Sequence, residues 1–218
     1  MKRNALVLSC ALLASASAAA PTKITFGDPC PQSRSAELKS LADADQKDRD
    51  VDFSKLPDKA AHKISGRDDK RRKRVAEIFA EGCLQTADDY HDAALIFQHG
   101  SAPDHFLLTY LWASRAVALG DPDAQWLVPR GIDRYLMNTG SKQLYATQGF
   151  SQEHGCHCLW PVEETATDAD RLKIGSKPLA EKMKWIDELN KEKQCAPAAF
   201  CDVEAKPVPK GSLPGVPW

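Results

Sequence analysis

The chain has no glycine-rich phosphate loop and no dinucleotide fingerprint, so no cofactor is expected from its motifs. No serine or cysteine stands in a recognisable nucleophile context, which argues against covalent catalysis. Charge of one sign is also missing, because 29 Lys and Arg face 30 Asp and Glu. Without a basic surplus, neither nucleic acid nor an anionic membrane is an expected partner. The cluster Lys70-Arg71-Arg72-Lys73-Arg74 follows Asp68 and Asp69 and reads as the solvated side of a helix. Beyond the N-terminus no run is long and apolar enough to cross a bilayer, so no stable membrane insertion is expected.

What is present begins at the N-terminus. Lys2 and Arg3 precede an apolar run from Ala5 to Ala14, and Ala16-Ser17-Ala18 places small residues at a cleavage site. This is the layout of a secretory signal over residues 1–18, and it predicts export to the periplasm or the extracellular medium. A lipid-attachment role for Cys10 would need a much shorter apolar segment than is usual. Removing Lys2 and Arg3 leaves 27 basic against 30 acidic side chains, a net charge of −3. Cys30, Cys83, Cys156, Cys158, Cys195 and Cys201 then remain, and six thiols in an oxidising compartment predict three disulfides. Spacing alone leaves all fifteen connectivities open. His154-Gly155-Cys156-His157-Cys158 holds zinc-ligand types, but the loop is too tight for four of them to reach one tetrahedral ion. Disulfides from Cys156 and Cys158 to partners such as Cys195 and Cys201 are the better reading, and no metal is expected.

The periodicity predicts a mainly α fold, a small multi-helix domain with a short β-hairpin near residues 143–162. An extended lead-in (19–34) precedes a single helical domain (35–194) and a Pro-rich tail (195–218), mobile or draped over the surface. Ser35 is a candidate cap for a helix to about Arg49, with Leu38 and Leu41 on one face and Asp45 in line with it. Pro57 and Gly66 interrupt residues 50–66, so the next helix is expected from Asp68 to Glu81, burying Val75, Ile78 and Phe79. A third starts at Asp88 or Asp89 and ends near Gly100. Ser101-Ala102-Pro103-Asp104 resembles a capping box opening a fourth, with Phe106, Leu107, Tyr110, Leu111, Ser114 and Val117 as its buried stripe. Asp121-Pro122 opens a fifth that runs to Met137, kinked or broken in two by Pro129. Two strands are expected within Gln143–Gln148 and Cys156–Trp160, and a last helix from Lys177 to Lys191.

The junction Ala116-x-x-x-Gly120-Asp121-x-x-Ala124 resembles one unit of a Sel1- or TPR-like helical hairpin, which implies an antiparallel pair. A wider resemblance rests on Asp45-Gln46-x-x-Arg49, Gln98-His99-Gly100, Asp133-Arg134 and Gln143-x-Tyr145-x-Thr147-Gln148. With Pro161-Val162-Glu163 and Asp168-x-x-Arg171, this order is similar to a bacterial family known only as a domain of unknown function. The resemblance spans roughly residues 41–190. The chain departs from that pattern at Ala146, where glycine is usual, and at Pro129. The resemblance implies that these polar positions belong together and implies no activity.

Asp45, Gln46, Arg49, Gln98, His99, Asp133, Arg134, Gln143, Tyr145, Thr147 and Gln148 are therefore the candidate binding residues. Because the unperturbed imidazole pKa lies near neutrality, His99 is the candidate general acid or base, with Asp133 or Asp45 to orient it. Arg49 or Arg134 would hold an anionic group, and the glutamines would donate to a carbonyl or phosphate. The competing reading is structural. Asp45 and Arg49 would be an i,i+4 ion pair, Asp133-Arg134 a clamp, and His99 a helix C-cap. Two functional classes follow: an exported protein binding a small ligand or a protein partner, or a small exported hydrolase or lyase.

Overall fold

The computed structural model describes residue 30 and residues 32–52, 55–152, 155–193 and 195–209. The segment read as a signal, Cys10, most of the lead-in, His154 and residues 210–218 lie outside the described residues. The fold is mainly helical, with one antiparallel two-stranded hairpin and three disulfides.

Helix α1 (Ser35–Arg49) buries Leu38, Ala42 and Asp45. Arg34 occupies the cap position, and Ser35 is the first helical residue rather than the cap. Helix α2 (Asp58–Ala80) starts ten residues before the expected point. Pro57 is its extended N-cap and Asp58 places an acid in the first turn, where the helix dipole favours it. Gly66 lies inside the helix with open space where a Cβ would sit. A helical glycine costs about 1 kcal/mol relative to alanine, a deficit that packing of Ile64, Val75 and Ile78 offsets. Phe79, expected inside, is 47 % exposed. The basic cluster is not simply a solvated face either, since Arg71 and Arg72 are buried against carboxylates.

Helix α3 (Ala87–Phe97) is capped by Thr86, whose side chain accepts from Asp89 N–H while Asp89 accepts from Thr86 N–H. Helix α4 (Pro103–Ala118) has Pro103 in its first turn, but the orphan amides of Ser101 and Ala102 donate to His105 Nδ1 and the expected Ser101 cap is not used. Its buried face is Phe106, Thr109, Trp112, Ala113 and Ala116, rotated from the expected stripe, and Leu111 is 48 % exposed. The rotation follows from neighbours on two sides, because α4 packs against both α3 and α5 (Leu127–Asn138). A Cβ on Gly131 of α5 would sit 2.6 Å from the backbone nitrogen of Tyr110, so glycine permits this close approach. The Asp121–Met137 stretch is two pieces, a 3-10 turn Pro122–Trp126 and then α5. Pro129 lies in the first turn of α5, where its missing N–H costs nothing.

The hairpin pairs β1 (Gly149–Ser151) with β2 (His157–Leu159), Phe150 opposite Cys158. The expected first strand at Gln143–Gln148 is displaced to Gly149, for a reason that belongs to Asp133 below. Helix α6 (Asp168–Lys173), which periodicity did not reveal, is capped by Thr167. Helix α7 (Leu179–Asn190) seats Ile186 against Ala146 and Leu159. Asn190 holds α7 to β2 by accepting from His157 N–H and donating to His157 C=O.

The disulfides are Cys30–Cys83, Cys156–Cys195 and Cys158–Cys201. The last two bind the proline-rich stretch to the hairpin, and Val208 beyond them is buried with Leu136 and Leu144. Among the described residues no helix is long and apolar enough to cross a membrane.

The rotated face of α4 is open to test by urea unfolding. Trp112→Ala should cost about 3–5 kcal/mol, while Leu111→Ala should stay within about 0.5 kcal/mol. Equal losses would contradict the assigned face.

Candidate functional site

The polar residues named from the sequence lie along one path of ionic and hydrogen-bonded contacts, divided into two kinds. The first kind is structural. Asp133 is fully buried on α5, and its carboxylate accepts from the backbone N–H groups of Leu144, Tyr145 and Thr147 and from the Thr147 hydroxyl, at 2.8–3.0 Å. Those amides are therefore unavailable to a strand ladder, which explains why 143–148 is not a strand. The Gln143 side chain completes the wrap by accepting from Gln148 N–H and donating to the carbonyls of Gln148 and Trp160. The turn passes through Ala146 at φ 56°, the left-handed region where glycine is favoured. Tyr145 points away into the Ile132–Leu136–Leu144 cluster. The backbone of Gln143 runs beside Pro161 and Glu163, and the Glu163 carboxylate accepts from Val208 N–H.

The second kind faces a cleft of about 580 Å³ lined by α2, α5 and the α3–α4 corner. Arg49, Gln98, His99, Arg134 and Gln148 of the expected set line it, joined by Ile64, Asp68 and Phe106. Asp45 and Gln46 stand behind His99. The Asp45 carboxylate, fully buried, accepts from His99 Nδ1 at 2.9 Å and from the Gln46 amide at 3.0 Å. An acceptor on Nδ1 fixes the proton there, so neutral His99 presents the Nε2 lone pair. Nε2 has no hydrogen-bond partner among the described residues. The other Asp45 oxygen lies 3.6 Å from both Arg49 and Arg71.

Arg49 and Arg134 differ in what neutralises them. Arg49 makes two 2.9 Å hydrogen bonds to Asp68, so its charge is spent inside the protein. Arg134 donates to the Gln98 carbonyl and, at 3.1 Å, to Gln148 Oε1, and no carboxylate is within ion-pair distance among the described residues. Burial, reinforced by Arg130 one turn away, lowers its pKa from the usual guanidinium value. Gln148 Nε2 in turn donates to Thr147 Oγ1, which links the cleft wall to Asp133. Gln98 is only 5 % exposed, yet its side-chain amide makes no hydrogen bond among the described residues. The amide opens to the cleft, so its donor and acceptor face that space and not the protein interior.

Asp68 and Arg71 escaped the sequence reading because they meet Arg49 and Asp48 across 19 and 23 residues of chain. Their only local signal was the i,i+3 spacing of Asp68 and Arg71. Cys156 and Cys158 are spent in disulfides and offer no thiolate to a metal, and His154 lies outside the described residues. The chain matches no family model, no curated protein and no solved structure.

The floor of the cleft should be acid-labile. A hydrogen bond from Arg67, opposed by burial and aided by Arg71, lowers the Asp48 carboxyl to about 2. At Asp68 burial pushes up, but Arg49 and Arg71 outweigh it and the net direction is down. A carboxyl depressed in the folded state contributes stability above its unfolded pKa, near 3.9, and loses it as pH falls through the folded value. The urea midpoint should therefore change little through these groups above about pH 5 and drop between about pH 4 and 2. Asp48→Asn should flatten part of that drop, and an identical profile in the variant would contradict the assignment.

Proposed function

We propose that this chain is an exported protein that binds a small polar ligand with an anionic group in the Asp45–His99–Arg134 cleft. The observation that carries the reading is Arg134, a cleft-lining guanidinium with no carboxylate within ion-pair distance among the described residues. The Gln98 amide, which makes no hydrogen bond among the described residues and opens to the cleft, adds a donor and an acceptor. Arg134 supplies the charge, as the one cleft arginine whose counter-ion the described residues do not provide. His99 Nε2 adds an acceptor, or a donor once protonated. The concavity suits a small molecule better than a protein surface. Three disulfides support export, as does the basic, apolar and small-residue order of residues 1–18. Periplasm and extracellular medium fit equally.

One observation favours a second reading, turnover by general acid–base chemistry in a hydrolase or lyase. The Asp45–His99 pair orients an imidazole by a buried carboxylate and aims its free nitrogen at the cleft. That is the arrangement by which a proton could be taken from, and returned to, a bound substrate.

Gln98→Met tests the binding reading directly, because it replaces the amide with an apolar group of similar size. If the amide waits for a ligand, the variant should be as stable as the parent in urea or gain up to about 1 kcal/mol. It should also lose any saturable thermal shift given to the parent by acetate, succinate or citrate. A loss of about 1–3 kcal/mol instead would show the amide is held for stability and would overturn the proposal. For the second reading, a ligand that is consumed by the parent and bound unchanged by His99→Asn would establish turnover.

A further inference from the structure

The arginines of α1 and α2 are saturated with carboxylates. Arg49 pairs with Asp68, Arg67 with Asp48, Arg71 with both, and Arg74 with Glu37, Glu77 and Glu81. Those of α5 are not. Arg130, one turn before Arg134, reaches no carboxylate within ion-pair distance among the described residues. Its guanidinium is nevertheless held in place, 4.9 Å over the Trp126 ring and donating to the Trp126 carbonyl at 3.0 Å. The nearest acid in sequence, Asp133, has both oxygens filled by four hydrogen bonds.

Arg130 opens onto a cavity of about 220 Å³ distinct from the cleft, with Lys177, Lys182, Glu181, Thr147 and Trp185 as its other walls. Lys182 is half-buried on α7, and its ammonium makes no hydrogen bond or ion pair among the described residues. The only acid in the lining is exposed Glu181, 3.7 Å from Lys177. Three cations against one carboxylate leave the cavity with two positive charges uncompensated. Arg130 and Lys182 are half-buried and Lys177 is exposed beside Glu181, so like charges crowd a partly desolvated cavity, an arrangement that an anion would relieve.

The geometry points to a second site, for a dianionic tetrahedral oxyanion of the phosphate-monoester class, held by Arg130, Lys177 and Lys182. Two negative charges match the local surplus, and a monocarboxylate would leave half of it. At about 220 Å³ the cavity has less than half the volume of the cleft. That is room for the head group and part of its hydration shell, but not for a large ligand. Trp185, 42 % exposed, offers an apolar wall to whatever carries the phosphate. Burial, followed by the nearby Arg130, pushes the Lys182 ammonium pKa down, and Asp133 only partly opposes this. Binding a dianion would reverse that penalty.

The test uses inorganic phosphate as the probe, titrated into the mature protein at low ionic strength, with chloride as the monovalent control. Tryptophan fluorescence should change saturably with phosphate and not with chloride. Lys182→Met should weaken phosphate affinity at least tenfold, and Gln98→Met should leave it unchanged, which separates this site from the cleft. Without phosphate, Lys182→Met should have a higher urea midpoint than the parent, because a buried unpaired charge has gone. The gap should close as phosphate is added. Parent-like phosphate affinity in Lys182→Met would overturn the proposal, as would a response lost only in Gln98→Met. So would a Lys182→Met protein less stable than the parent in phosphate-free buffer.

Discussion

The four hydrogen bonds to the Asp133 carboxylate are the constraint on which the rest of the site depends. Burying an ionised carboxylate is unfavourable unless its lone pairs are filled, and here each oxygen accepts two hydrogen bonds. Because three of the donors are backbone amides of one short loop, satisfying the charge also dictates the path of residues 144–147. That path passes through the left-handed region at Ala146 and delivers Gln148 to Arg134. It also places Gln148 in the lining of the cleft and Thr147 in the lining of the Arg130 cavity, a stretch of wall that serves both. Burial raises the Asp133 pKa, opposed by the same four hydrogen bonds.

A different device builds the opposite wall. Asp45, Asp48, Asp68, Arg49, Arg67 and Arg71 form an ionic lattice between α1 and α2, in which most charges are answered within the protein. Such a lattice is weak evidence for stability, since desolvation offsets much of the attraction. Its clearer effect is positional. It keeps Asp45 buried and ionically balanced, so that His99 is gripped through Nδ1 and turned toward the cleft. The two walls differ in electrostatic completeness, and the incomplete one, α5 with Arg130 and Arg134, is where an anion has something to do.

The mainly helical class, the hairpin and the disulfide staples were legible in the sequence because each has a local signal. Leu38 and Leu41, Val75 and Ile78, and Met183 and Ile186 stand three residues apart on their own helices, and Gly82, Gly120 and Gly140 end helices at positive φ. What was not legible depends on neighbours. Gly66 and the polar residues around it masked ten residues of α2, whose burial comes from α1 and the cleft. Leu111 and Trp112 are equally apolar, and only packing against both α3 and α5 decides which is inside. Residues 143–148 alternate like a strand, but no local pattern shows that a carboxylate on another helix has taken their amides. Buried Arg71 and Arg72 read as solvent-facing because their partners are remote in sequence or, for the His99 carbonyl, on the backbone. The disulfide partners of Cys156 and Cys158 could be proposed but not ordered, because Cys195 and Cys201 are close enough in sequence to exchange roles.

Amide hydrogen exchange at Leu144, Tyr145 and Thr147 tests the central claim most directly. These residues belong to no helix or strand, and an ordinary loop opens at little free-energy cost. If the Asp133 carboxylate anchors the segment, the three amides should exchange only through global unfolding, as slowly as the most protected amides of α4. Rapid exchange at any of the three, with α4 still protected, would show that the anchor is not closed and that the wall between the two sites is not built as described.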